Sequence, residues 1–382
     1  MQHAQATQRT RPQHLPALDG VRLLAVGLVI LHHITSGSTN STFLHLIGLQ
    51  HGNGLGPPLF FVLSGALLTN VIDLARDAKN RYRNFLVRRV LRILPLYFGY
   101  LLLATAFTFL ITGSGPIHLW VYALFAQNIF VHTAERTGSV LPTYHLWTIA
   151  VQDQFYLIWP LLLWRCRDVR QMRILCWASI AVCLLARLLM VSSAVPSELL
   201  IRSLPAASGC MSLGGLLALE RRDPTRLTLI LRRSLAPLTV ACLIWMWRGL
   251  DFTSAIGALV GYQLVGVTCA ALISAAMKPD SLVARVLGAR FFAAGGKNLA
   301  FGMYMLHPCL LEFCTTHLPF ASKLTRLTAF LGSTVALAAL SSRFYERPFL
   351  NIKTGRAKSA TPQGQPAPRH VRSSFSAPSI TA

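Results

Sequence analysis

The reading of the chain turns on residues 55–113: LGPPLFFVLSGALLTNVIDL (55–74), ARDAKNRYRNFLVRRVLR (75–92) and ILPLYFGYLLLATAFTFLITG (93–113). Each flanking run is apolar and about as long as the ~20 residues a helix needs to cross a bilayer. The segment between them holds Arg76, Lys79, Arg81, Arg83, Arg88, Arg89 and Arg92. Loops on the cytoplasmic side collect Lys and Arg, so this is the pattern of two spans joined by a cytoplasmic loop.

The same pattern extends in both directions. Further apolar runs cover 18–36, 145–165, 172–192, 204–220, 235–250, 256–277, 298–316 and 326–345, giving ten. Basic residues are dense in every second connection, as in Arg167, Arg170 and Arg173, or Arg221, Arg222, Arg226, Arg232 and Arg233. The alternate connections carry few: none in 37–54, Arg136 in the third and Arg202 in the fifth. The expectation is an all-α polytopic membrane protein, a bundle of about ten transmembrane helices with both termini cytoplasmic. Residues 1–17 form a cytoplasmic tail, 18–349 the ten-span domain and 350–382 a disordered basic cytoplasmic tail rich in Ser, Pro and Ala. No cleavable signal peptide is expected, because the first run follows a polar start and carries Arg22. The short apolar stretch 117–131 is read as interfacial or re-entrant, since a crossing there would invert the charge alternation.

Composition agrees. Of 382 residues 53% are hydrophobic and only 13% charged, about half the charge of a soluble domain. An ordinary cytosolic enzyme and a disordered chain are both excluded, and the runs lack the alternation of an outer-membrane barrel. The net charge of +23 arises from 36 Lys+Arg against 13 Asp+Glu. These cations sit beside apolar runs, so membrane lipid is the expected partner and nucleic acid is not. Eight cysteines fall mostly inside apolar runs without a CxxC, so neither a disulfide framework nor a metal site is expected.

Ionisable groups inside a bilayer are costly and mark candidate sites. Arg22 and His33 are eleven residues apart in the first run, about 20° from eclipsed and ~16 Å apart along a helix. They are either a cation below a titratable base or a snorkelling arginine with a packed histidine. Arg88, Arg89 and Arg92 group three guanidiniums at the membrane surface, suited to a polyphosphate or to lipid headgroups. His145 opens the fourth run, with Asp153 ~12 Å further along. Asp153 either acts on a proton or an imidazole, or belongs to an interhelical polar cluster. His307 lies mid-depth in the ninth run, with Tyr304 one turn before it and Pro308 after it. Glu346 sits at the cytoplasmic end of the tenth, where Arg22 or the arginine cluster could pair with it. Arg187, near the outer end of the fifth, is read as snorkelling.

At these residues the sequence resembles the membrane-bound acyltransferase-3 family of sugar O-acetyltransferases. The resemblance runs from about Leu18 to Phe349. It is carried by Leu18-Asp19-Gly20-Val21-Arg22 with the spacing to His33, and by Leu59-Phe60-Phe61-Val62-Leu63-Ser64-Gly65. The Arg88, Arg89, Arg92 cluster and His145-Leu146-Trp147 with Gln154-Phe155-Tyr156 follow. Gly302-Met303-Tyr304-Met305-Leu306-His307-Pro308 and Phe344-Tyr345-Glu346-Arg347-Pro348-Phe349 complete it. The resemblance implies acyl-CoA, most often acetyl-CoA, as a cytoplasmic donor substrate with no tightly bound cofactor. It implies His33 as catalytic base, which we pair with Asp153, and Arg22 with Arg88, Arg89 and Arg92 as donor-binding groups. The acceptor it implies is carbohydrate-containing, as in lipopolysaccharide, exopolysaccharide or a small glycosylated molecule, at a bacterial inner membrane. Gln152 and Asp153 stand where the family has paired glutamates, and Pro57-Pro58 where many members have an acidic residue. The hydrolase-like domain that follows the membrane part in some members is not expected here. The rival reading is a multi-span transporter or flippase using Arg22, Asp153, His307 and Glu346 as a pathway.

Overall fold

The computed structural model describes residues 14–36, 55–130, 136–193, 195–196, 198–248, 252 and 254–351. The tails expected over 1–13 and 352–382, and the first loop at 37–54, lie outside the described residues. Among the described residues all regular structure is helical. The helices are α1 (Pro16–Ser36), α2 (Gly56–Leu74), α3 (Arg81–Thr112), α4 (Trp147–Leu163), α5 (Val169–Ser192), α6 (Leu204–Glu220), α7 (Leu227–Arg233), α8 (Leu235–Trp247), α9 (Tyr262–Ala276), α10 (Leu282–Leu287), α11 (Arg290–Asn298), α12 (Ala300–His317) and α13 (Lys323–Leu340).

Every apolar run falls on a helix. Among the described residues, seven helical stretches are long and apolar enough to cross a membrane, or eight if α7 and α8, bent by 56°, form one span. The two further predicted runs are α4, with 17 residues, and α12, which carries His307, Glu312 and His317. Helix α3 begins twelve residues before the predicted apolar edge. Nothing between Arg81 and Arg92 breaks a helix, and the chain turns only at Asn80, in the left-handed region at φ 53°. The Arg88, Arg89, Arg92 cluster is therefore helical.

Helix α6 packs against α2 and α5, and α1 lies against α2, α10, α11 and α12. The α2–α6 crossing brings backbone against backbone. A Cβ on Gly65 would overlap the Met211 carbonyl oxygen, and one on Gly214 that of Val62. Small residues are what allow such close approach between membrane helices, where no hydrophobic force separates helix from lipid. Trp159 of α4 donates to Thr69 of α2 at 3.0 Å, both buried. Outward, α3, α5, α8 and α13 expose Leu110, Leu185, Val240, Leu337 and similar residues, as lipid-facing surfaces do.

Arg187 does not snorkel. It is fully buried, donating to the Ala206 carbonyl from Nε (3.0 Å) and Nη2 (2.7 Å), and to the Ala258 carbonyl from Nη1 (2.8 Å). Its guanidinium lies 3.8 Å from the Tyr262 ring centre. The wide turn at Gly257–Gly261 breaks the regular bonding of the chain, and so leaves the Ala258 carbonyl for Arg187. An arginine with peptide oxygens in reach gains more from them than from a stretch to the interface.

Candidate active site

Three helices carry one common offset. On α1, Arg22 and His33 are eleven residues apart; on α3 so are Arg89 and Tyr100; on α4 and the turn before it so are Tyr156 and His145. At 1.5 Å per residue each offset is ~16 Å. The Arg89 guanidinium lies 4.0 Å from the Tyr156 ring centre, and the Tyr100 ring packs edge-on to His145 at 5.7 Å. The structure thus has an arginine level and a histidine level. Helix α3 arrives at the histidine level and α4 departs from it. Between them, residues 117–130 hold only the short helix Trp120–Ala123, and Asn128 reaches Gln154, two residues before Tyr156. This segment is tied down by a reciprocal amide pair. Gln154 Nε2 donates to Asn128 Oδ1 at 2.8 Å, and Asn128 Nδ2 to Gln154 Oε1 at 3.2 Å.

The arginine level gathers Arg22, Arg89 and Arg92, each within the electrostatic field of the others. Asp19, buried at the start of α1, pairs with Arg22 and also with His14 at 2.7 Å. Arg88 is exposed and is not among the charges that Arg22 and Arg92 feel. Glu346 accepts from Ser341 at 3.1 Å and faces the charge of Arg92, so it joins the cluster through Arg92. Asp153 faces the charge of Arg89, and its Oδ2 is buried without a hydrogen-bond partner. Among the described residues no hydrogen bond joins Asp153 to His33.

At the histidine level the tautomers can be assigned. Pro308 has no N–H, so the Tyr304 carbonyl four residues earlier lacks its helical donor. His307 Nδ1 lies 2.8 Å from that oxygen and 3.1 Å from the Met303 carbonyl. Carbonyls only accept, so His307 carries its proton on Nδ1 and its lone pair on Nε2. His307 Nε2 is 2.7 Å from His33 Nδ1, with ring planes 13° apart. In the neutral pair His33 must then donate from Nδ1, which puts its basic lone pair on Nε2. His307 is fully buried. Around the pair stand Tyr144, edge-on to His33 at 5.2 Å, and His145, 5.7 Å from His307. Tyr304 donates to the His145 carbonyl at 2.5 Å and lies 2.5 Å from the Thr148 hydroxyl. That bond anchors α12 to the start of α4.

Arg22, Arg89, Arg92 and Glu346 therefore meet at one level, and His33, His307, Tyr304 and His145 at the other. Sequence reasoning missed His307 as the direct partner of His33, a contact across 274 positions. The adjacent proline was the available signal. It also missed Tyr97 and Gln127, whose hydrogen bond at 3.2 Å ties the 117–130 segment to α3.

A family model described as an acyltransferase domain, the acyltransferase-3 model, matches residues 15–343. The chain belongs to the acyltransferase-3 family. The acyltransferase domain accordingly takes in both levels, from Arg22 to Arg92 and from His33 to His307. Among the relatives is the "Putative peptidoglycan O-acetyltransferase YrhL" of Bacillus subtilis, 26% identical over 362 residues, 88% of this chain and 55% of that protein. Another is the "Peptidoglycan O-acetyltransferase OatA" of Listeria monocytogenes, 26% identical over 377 residues, 90% of this chain and 57% of that one. The chain spans a little over half the length of these curated relatives. No solved structure matches.

Proposed function

We propose that the chain is an integral membrane O-acyltransferase that moves an acetyl group from cytoplasmic acetyl-CoA to a hydroxyl of a carbohydrate-containing acceptor. The observation that carries this reading is the His33–His307 pair, tautomer-fixed, one ~16 Å offset from a cluster of three guanidiniums. The family and the relatives named as O-acetyltransferases support it.

In this mechanism the phosphates of coenzyme A dock on Arg22, Arg89 and Arg92, and the pantetheine arm extends along α1 toward His33. Guanidiniums suit this role because they fork onto phosphate oxygens. His33 Nε2 takes the proton of the acceptor hydroxyl, and the oxygen attacks the thioester carbonyl carbon. The C–O bond forms, the C–S bond breaks, and the departing thiolate takes the proton back from His33. His307 keeps Nε2 of His33 basic throughout. Asp153, facing Arg89, balances the charge of the donor site. In this reading the ten predicted runs all cross the inner membrane, with both ends of the domain cytoplasmic, so the donor enters at the arginine level and the acceptor at the histidine level.

The test is calorimetric titration of acetyl-CoA into purified protein in nanodiscs. Wild type is expected to bind saturably, and Arg89→Ala with Arg92→Ala to weaken binding at least about tenfold, a loss of ~1.4 kcal/mol. A well-folded wild type that binds neither acetyl-CoA nor longer acyl-CoAs would point instead to the transporter reading.

A further inference from the structure

A cavity of about 250 Å³ is lined by Tyr144, whose ring packs edge-on to His33 at 5.2 Å, and by none of the arginine cluster. Trp147, Tyr122 and Gln127 line it further. The segment 137–143 lines it too, through Thr137, Ser139, Pro142 and Thr143 among others. The volume is near the lower limit of small-molecule sites, roughly 300 Å³. It has room for one ring-sized group and not for a chain.

The walls are rigid and chemically particular. Gln127 is 4% exposed, and its amide is fixed by donating to the Leu146 carbonyl at 3.0 Å and to the Tyr97 hydroxyl at 3.2 Å. That leaves Oε1 buried with no hydrogen-bond partner. A buried amide oxygen in this state costs free energy until a donor reaches it. The Tyr122 hydroxyl is held at 2.8 Å from Thr143. Arg202 is the one charged side chain among the described lining residues, and no carboxylate is among them. Three aromatic rings offer C–H faces, and Arg202 with the hydroxyls of Thr137, Ser139 and Tyr144 supplies donors and acceptors for ring hydroxyls, a lining that matches a sugar ring and matches neither an acyl tail nor a cation.

The geometry points to this cavity as the acceptor subsite: it takes a single sugar ring and presents one hydroxyl to His33 past Tyr144. This inference rests on the acyl-transfer reading above. Binding here leaves the donor path along α1 clear, so both substrates reach His33 from opposite ends.

The test uses the full chain in nanodiscs, acetyl-CoA as donor and a β-1,4-linked N-acetylglucosamine tetrasaccharide as acceptor probe, with the product followed by mass spectrometry. Ser139→Trp places an indole in the cavity, and Trp147→Ala removes a wall. Either variant is expected to raise the KM for the tetrasaccharide at least about tenfold, with the acetyl-CoA Kd, which also reports folding, unchanged. If wild type transfers and both variants keep that KM within about twofold, the acceptor binds elsewhere and the inference is overturned. If wild type binds acetyl-CoA but acetylates no tetrasaccharide, the assignment of a sugar to the cavity fails. If wild type does not bind acetyl-CoA, the acyl-transfer reading falls first, and the two failures are told apart.

Discussion

Replacing His307 by alanine tests the assignment of the base most directly. The change removes the acceptor of His33 Nδ1–H and the donor to the Tyr304 carbonyl. Each buried group left unsatisfied costs about 1–3 kcal/mol, so stability should fall by roughly 2–5 kcal/mol. The catalytic loss is separate. Without His307, either nitrogen of His33 can carry the proton, and the ring can turn. Loss of the tautomer-fixing aspartate of a serine-protease triad lowers kcat ~10⁴-fold. A neutral imidazole stabilises less charge than a carboxylate, so a fall in kcat of about 10²–10³ is expected, or ~3–4 kcal/mol on the barrier. His307→Gln should recover at least about tenfold of this, because a side-chain amide both accepts from His33 and donates to a carbonyl. The assay is initial-rate acetyl transfer in nanodiscs with the acetyl-CoA Kd measured on the same samples. An alanine variant with wild-type kcat and intact donor binding would refute the tautomer argument.

Two further outcomes concern the bundle. Arg187→Met should strand the Ala206 and Ala258 carbonyls and destabilise the protein by ~3 kcal/mol or more, and Arg187→Lys should not restore it, lacking the guanidinium fork; thermal unfolding in detergent measures both. Gly214→Val should prevent α2 and α6 from closing and abolish accumulation of folded protein by size-exclusion profile, whereas Gly332→Ala, which meets open space, should behave as wild type.

Much of this was legible in one dimension. The runs locate the helices. The Arg22–His33 spacing became a real separation between two levels because helical rise is constant. The start of α3 was less legible, since arginine marks the membrane edge in a hydropathy profile without ending a helix. The fate of Arg187 was not legible either. Snorkelling and burial differ only by whether peptide oxygens stand nearby, and here they come from α6 and from the wide turn before α9.

By itself, then, the sequence determined where the apolar segments lie and how far apart polar residues sit along one helix, because these depend on length, composition and helical rise. The tertiary structure decided which residues meet at a given depth. That His33 finds His307, that Arg88 stays outside the cluster while Arg22 joins it, and that Gln127 is left with an unpartnered oxygen all follow from how each helix is rotated about its axis. That rotation is set by side-chain packing between helices distant in sequence, as where Gly65 and Gly214 let α2 and α6 close backbone to backbone.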